Sequence, residues 1–110
     1  MEIREQIHEN FITLSPVGEL DANSSIHLDE KISSMIQNGK INIHVDCRDV
    51  SYMSSAGLGV FISHLDELSA KSGKLVLSDL NPGVFDVFDL LGLNQLVTIA
   101  DKGDDIGKYF

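Results

Sequence analysis

Residues 41–61 read INIHVDCRDVSYMSSAGLGVF, and they are the most informative part of the chain for its architecture. Apolar and polar side chains alternate strictly from Ile41 to Cys47, which predicts a half-buried β-strand and a sheet with one partly covered face. Residues 48–53 are predicted to be a connection, and a helix is predicted from Ser54 to about Ala70. A strand followed by a helix is half of a parallel βαβ unit, so we expect an α/β domain.

The residues before this stretch add a hairpin and a helix. Residues 3–8 and 11–17 are predicted to pair as antiparallel strands, and Pro16 should end the second strand or place it at an edge because proline lacks a ladder donor. A helix is then expected to start at a cap supplied by Asp21, Asn23 or Ser24 and to end at Gly39. Its apolar stripe consists of Leu28, Ile32, Met35 and Ile36.

The residues after this stretch complete a small domain. A strand is predicted over residues 74–80, a helix begins at Asn81-Pro82, and a short strand is predicted over residues 96–100. The tail from Asp101 to Phe110 can hold one turn of helix. The order β-β-α-β-α-β-α-β predicts a single α/β domain over residues 1–110, with a mixed four- to five-stranded sheet and helices mainly on one face.

Composition excludes several classes of function. The chain has 110 residues and a formal net charge of -9, and acidic residues outnumber basic ones in both halves. We therefore expect no nucleic-acid binding and no attachment to anionic membranes. Cys47 is the only cysteine, which rules out an internal disulfide and a cysteine-based zinc cluster. A lone cysteine and the lack of a long apolar segment predict a cytoplasmic protein.

The start of the predicted second helix carries the chemistry. Ser54 and Ser55 open it, and Gly57 and Gly59 follow within two turns. Each glycine costs about 1 kcal/mol relative to alanine, so we expect a close approach of backbone or of a partner there. A phosphate on either serine would lie at the positive end of the helix dipole and add about -1.5 to -2 charges. From spacing alone, a simple capping role for the serine is the more common alternative.

The sequence VSYMSSAGLGVF at residues 50–61, together with GELD at residues 18–21, resembles the signatures of the STAS domain. Within that family it is similar to the bacterial anti-sigma-factor antagonists, over nearly the whole chain. The resemblance implies phosphorylation of Ser55, with Ser54 as the alternative because it stands where many antagonists have aspartate. It also implies a partner-binding surface, which comprises Asp21, Asn23, Ser54, Ser55, Gly57, Leu58 and Gly59.

The resemblance implies a regulatory cycle rather than an enzyme. The unphosphorylated form would bind an anti-sigma factor that is also a serine kinase with a histidine-kinase-like ATPase fold, and would thereby release the sigma factor. The kinase would use ATP to phosphorylate Ser55, and a metal-dependent serine phosphatase would restore the binding form. Simple members of the family imply a monomer without a cofactor. The alternative is a STAS scaffold, or an accessory subunit of a signalling or lipid-transport complex, without a phospho-switch.

Enzymatic and metal sites have weaker support. The four histidines lack metal-ligand spacing, and although His44 and Asp46 share a strand face, a polar sheet face is the simpler interpretation. A triad of Ser55, His64 and an aspartate would lack the Gly-x-Ser-x-Gly elbow of serine hydrolases. No glycine-rich phosphate-binding loop is present. We therefore expect neither a catalytic residue nor a bound metal.

Overall fold

The computed structural model describes residues 1–110 as one mixed sheet with helices. The strands are β1 (Glu2–Ile7), β2 (Ile12–Leu20), β3 (Asn42–Asp46), β4 (Val50–Met53), β5 (Lys74–Ser78) and β6 (Thr98–Ile99). The helices are α1 (Ala22–Gln37), α2 (Ser55–Ser63), α3 (Leu65–Ala70) and α4 (Pro82–Leu90), with 3₁₀ turns at Leu93–Gln95 and Ile106–Tyr109. The predicted α/β class and the turn in the tail are confirmed. None of the helices combines the length and the apolar character needed to cross a membrane.

The sheet has six strands rather than four or five. Five of them follow the order β1-β2-β3-β5-β6, and β4 pairs with β2 beyond the end of β3. The β1–β2 pair is antiparallel and the other pairs are parallel, which confirms the predicted hairpin and the mixed sheet. The additional strand is β4, which the sequence predicted to be a connection. Its burial pattern places two exposed residues between Val50 and Met53, so it shows no alternation to recognise.

Strand β2 runs through Pro16, where the sequence predicted an end or an edge. It spans nine residues and has two successive parallel partners. Ile12 to Leu14 pair with β3, and Gly18 to Leu20 pair with β4. Pro16 lies between these two segments, so its missing amide removes no hydrogen bond to either parallel partner. The alternative that the strand ends at Pro16 is therefore wrong, whereas the alternative that it reaches an edge there agrees with the lack of a parallel partner at this position.

The predicted helix over residues 54–70 is interrupted at His64. This residue ends α2 and precedes α3, with φ -100° and ψ -5°. Its side chain is buried, and its Nε2 atom lies 2.7 Å from Oδ1 of Asp29 on α1. The prediction of one continuous helix is therefore wrong. The apolar spacing of Phe61, Leu65 and Leu68 continues across the break, so the sequence pattern alone could not reveal it.

The helices pack on one face of the sheet, as predicted. Apolar residues of the central strands and of the helices form a single buried cluster, which includes Leu14, Val45, Leu77, Leu28, Ile32, Phe61 and Phe88. The opposite face carries Thr13, His44 and Ser78, whose side chains form part of a hydrogen-bonded row across the strands. Thr13 Oγ1 lies 3.0 Å from His8 Nε2 and 2.9 Å from His44 Nδ1, and His44 Nε2 lies 2.6 Å from Ser78 Oγ. The tail partly covers this face, where Phe110 stacks on Phe11 at 4.8 Å.

Candidate functional site

The amino termini of α1 and α2 lie side by side at one edge of the sheet. Strand β2 leads directly into α1 and strand β4 leads directly into α2. Because β2 and β4 are parallel neighbours, both helices start at the same edge. The backbone amide of Ser54 donates a 2.9 Å hydrogen bond to the carbonyl of Leu20, which ties the two helix starts together. The segments 18–21 and 50–59, separate in sequence, thus form one site.

Asp21 is the N-cap of α1 and is one of the three residues that the sequence offered as candidates for this cap. Its carboxylate accepts hydrogen bonds from the amides of Asn23 at 3.0 Å and Ser24 at 2.9 Å. The Ser24 hydroxyl accepts the amide of Asp21 in return, which completes a capping box. Hydrogen bonds from the amide and then the hydroxyl of Ser24 lower the pKa of the Asp21 carboxyl. Asn23 is exposed in the first turn and its side chain does not cap the helix.

The two adjacent serines have different surroundings. Ser54 is half-buried and is the N-cap of α2, where its hydroxyl accepts the amide of Gly57 at 3.4 Å. Ser55 is the first residue of α2, it is exposed, and its hydroxyl makes no hydrogen bond within the chain. The capping alternative therefore applies to Ser54. Ser55 is the serine whose hydroxyl is exposed and unengaged.

The two glycines of α2 also differ. A Cβ atom at Gly57 would lie 2.9 Å from Met53 Cγ and 3.1 Å from Leu20 Cβ, so this glycine allows α2 to approach β2 and β4 closely. A Cβ atom at Gly59 would meet no atom within 4 Å, and Gly59 is exposed. The expected close approach within the fold is thus present at Gly57 only. Gly57 and Leu58 are buried beneath the surface of the site, whereas Gly59 is exposed on that surface.

The elements that carry the site also expose apolar side chains that were not identified from the sequence. Ile26 on α1 and Tyr52 on β4 are 55% and 52% exposed, and both lie close in sequence to a helix start. Ile62 is 38% exposed but lies near the far end of α2, away from Ser55. Ile26 could have been recognised as an apolar residue outside the helical stripe of α1. Tyr52 was missed because residues 50–53 were not predicted to form a strand.

The triad considered from the sequence is not assembled in the structure. Ser55 and His64 lie at opposite ends of α2, about 13 Å apart along the helix axis, and His64 instead contacts Asp29. His, Cys, Asp and Glu side chains nowhere converge in groups of three or more that could hold a metal ion. Burial lowers the pKa of His44, the central residue of the polar row. Burial raises the pKa of the Cys47 thiol, which keeps it protonated within the core.

The family model of the STAS domain matches residues 2–106 of this chain. The chain belongs to the STAS domain family. Its sequence is 33% identical over 97 residues to the anti-sigma-B factor antagonist of Bacillus subtilis, and the match covers 88% of each protein. The resemblance seen at residues 18–21 and 50–61 is therefore confirmed across the domain.

Solved structures of STAS proteins share this fold. An anti-sigma factor antagonist from Mycobacterium paratuberculosis superposes with a TM-score of 0.86 at 18% identity, covering 98% of this chain and 92% of that one. The Bacillus cell fate determinant SpoIIAA in its phosphorylated form superposes with a TM-score of 0.76 at 24% identity, covering 99% of this chain and 100% of that one. At these identities the superpositions establish the shared fold of the STAS proteins.

Proposed function

We propose that this STAS domain is an anti-sigma-factor antagonist that acts by partner switching. The unphosphorylated protein binds an anti-sigma factor and thereby releases a sigma factor, and phosphorylation of Ser55 abolishes that binding. The free, exposed hydroxyl of Ser55 beside the engaged hydroxyl of Ser54 is the observation that carries this proposal. The similarity to the anti-sigma-B factor antagonist of Bacillus subtilis supports it.

The surroundings of Ser55 explain how one phosphate can act as a switch. The first-turn amides of α2 and the positive end of its dipole tolerate an anion, so phosphorylation leaves the domain folded. The same phosphate adds about -1.5 to -2 charges beside the exposed side chains of Ile26 and Tyr52. A partner that covers these apolar side chains would have to bury the new charge without a counter-charge. A cost of about 3 kcal/mol already lowers affinity roughly a hundredfold.

The proposed contact surface combines polar and apolar residues around both helix starts. Asp21, Asn23, Ser55 and Gly59 are exposed and are proposed to touch the partner. Tyr52 is proposed as an anchor, since tyrosine is enriched among binding hot spots and this side chain is half exposed beside Ser54. Ser54 contributes as the cap that orients α2, and Gly57 and Leu58 maintain the shape of the surface.

The proposed cycle needs two further proteins. The anti-sigma factor is proposed to be a serine kinase with a histidine-kinase-like ATPase fold, which transfers the γ-phosphoryl group of ATP to Ser55 and then dissociates. A metal-dependent serine phosphatase is proposed to hydrolyse the phosphoserine and restore the binding form. All of these steps are proposed to take place in the cytoplasm, with this protein as a monomer.

Phosphorylation by the cognate anti-sigma kinase tests the proposal directly. Wild-type protein, Ser54→Ala and Ser55→Ala are incubated with the kinase and ATP and analysed by intact-mass and peptide mass spectrometry. We expect one phosphate on the wild type and on Ser54→Ala, and none on Ser55→Ala. A phosphate that persists in Ser55→Ala would refute the assignment of Ser55. No phosphate on any form would favour a STAS scaffold without a switch.

Binding measurements test the charge mechanism separately. By calorimetry against the kinase, Ser55→Ala should bind as tightly as the wild type, and Ser55→Asp should bind at least about a hundredfold more weakly. Tyr52→Ala should weaken binding, whereas Ile7→Ala, which removes an even more exposed apolar side chain from β1, should not. Equal affinities of Ser55→Ala and Ser55→Asp would contradict the charge mechanism.

A further inference from the structure

A second exposed apolar surface lies at the end of α4, outside the Ser55 site. Leu90, Leu91 and Leu96 are 84%, 59% and 61% exposed, and Val87 is 39% exposed. We call these four residues the α4 patch. Single exposed apolar residues are ordinary on a protein surface, but several large ones close together mark a contact with a partner.

The α4 patch has the geometry of a helix-binding surface. Val84 and Phe88 are the buried residues of α4 and attach it to the core. Val87, Leu90 and Leu91 are spaced i, i+3 and i+4, so they share another side of the same helix. The following turn is held by hydrogen bonds from the amide of Gln95 to the carbonyl of Gly92 and from the amide of Leu96 to the carbonyl of Leu93. This compact turn places Leu96 just beyond the end of α4.

The charges around the α4 patch select the kind of partner. Helix α4 carries Asp86 and Asp89 and no lysine, arginine or histidine. The nearby Asp79 is paired with Arg48 and does not add to this charge. Asp86 and Asp89 lie on α4 itself, within one turn of Val87 and Leu90. Near Leu96, Asp66 and Lys74 line the same shallow groove and balance each other's charge. A second copy of this chain would bring the same aspartates together on a protein of net charge -9, so self-association is disfavoured.

We propose that the α4 patch docks a basic amphipathic helix of a protein partner. The apolar row of that helix would cover Leu90, Leu91 and Leu96, and its flanking lysines or arginines would face Asp86 and Asp89. This mode of recognition places i, i+3, i+4 and i+7 apolar anchors into an apolar surface. The α4 patch does not include Ser55, so docking there is independent of the proposed phospho-switch. A partner could therefore remain bound in both phosphorylation states.

A pair of synthetic peptides tests this proposal with the full chain. Both have 18 residues and leucines at i, i+3, i+4 and i+7, and they differ only in carrying lysine or glutamate at the remaining positions. Each is titrated into ¹⁵N-labelled protein and followed by amide chemical shifts. We expect the lysine peptide to shift the amides of residues 84–96 and the glutamate peptide to leave them unchanged.

Substitutions identify which side chains bind the peptide. The double variant Leu90→Ser/Leu91→Ser should bind the lysine peptide at least tenfold more weakly, and Asp86→Lys should also weaken binding. Ile7→Ser is the matched control because Ile7 is 73% exposed on β1, away from the α4 patch. It should bind like the wild type, and so should Ser55→Asp. A circular dichroism melt verifies folding, and Leu90→Ser alone replaces the double variant if that variant unfolds.

Three results would overturn the proposal. Shifts that spread over all acidic residues and persist in Leu90→Ser/Leu91→Ser would indicate general charge attraction. Equal binding of the glutamate peptide, or no binding of either peptide, would show that the α4 patch does not bind a basic helix. If the wild type is a dimer in analytical ultracentrifugation and Leu90→Ser is a monomer, the α4 patch binds a second copy of this chain instead.

Discussion

Alanine at Gly57 and alanine at Gly59 are expected to change the stability of this domain in opposite directions. Both residues lie within α2, so each substitution gains the same helix propensity of about 1 kcal/mol. Their surroundings differ, because only a Cβ atom at Gly57 would have close neighbours. The difference between the two variants therefore isolates the cost of the contact between α2 and the strands beneath it.

The magnitude follows from the atoms that a methyl group at position 57 would meet. Met53 Cγ would lie at 2.9 Å, Leu20 Cβ at 3.1 Å and the Leu20 carbonyl oxygen at 3.2 Å. The oxygen cannot retreat easily, because it accepts the amide hydrogen bond of Ser54 at 2.9 Å. Overpacking of this kind costs about 1–3 kcal/mol. After the gain in propensity, Gly57→Ala should lose up to about 2 kcal/mol, whereas Gly59→Ala should gain about 1 kcal/mol.

Urea unfolding followed by circular dichroism measures both changes under the same conditions. In thermal melts, 1 kcal/mol corresponds to about 4 °C for a domain of this length, so the two melting temperatures should lie on opposite sides of the wild-type value. A Gly57→Ala protein that is as stable as Gly59→Ala would refute the close contact. If Gly59 faces the partner, Gly59→Ala should also bind the anti-sigma kinase more weakly despite its greater stability.

Two further predictions concern the cap of α1 and the polar face of the sheet. Asp21→Ala should lower the free energy of unfolding in urea by about 1 kcal/mol, because two backbone amides lose their acceptor. The nearby variant Asn23→Ala should lose less. Equal losses in the two variants would contradict the capping role of Asp21. The lowered pKa of buried His44 means that, as the pH falls below about 6.5, the unfolded chain binds a proton that the folded protein resists. The free energy of unfolding should therefore decline as the pH falls from about 6.5 towards the lower pKa of folded His44. His44→Gln should reduce that decline, whereas His27→Gln, at an exposed position, should not. An unchanged dependence of the unfolding free energy on pH in His44→Gln would contradict this mechanism.

The elements with regular patterns could be predicted from the sequence. The alternation in β3 and the apolar stripe of α1 each reflect one buried face, and one buried face is what periodicity reports. Strand β4 escaped prediction because its four residues bury only the first and the last. The break at His64 also could not be predicted, since the apolar spacing continues across it and the contact that His64 makes with Asp29 is 35 residues away in sequence. Such long-range contacts leave no local pattern.

The chemistry of the site was accessible from the sequence, but the division of roles within it was not. Two adjacent serines before a helix predict a cap and a free hydroxyl without saying which is which. The structure separates them, because the pairing of β4 with β2 holds the backbone of Ser54 against Leu20 and directs its hydroxyl to the amide of Gly57. The two glycines were likewise equivalent in sequence. Only the packing beneath Gly57 distinguishes it from Gly59.

The double role of β2 has a consequence for the order of folding. This strand pairs locally with β1, but Ile12 pairs with Ile43 and Leu20 pairs with Met53, each more than 30 residues further along the chain. A two-stranded hairpin alone is marginally stable, and contacts at such separations form slowly. During synthesis, the far end of β2 therefore stays without its partner until Met53 has emerged from the ribosome. In an incomplete chain the starts of α1 and α2 are therefore not yet assembled side by side.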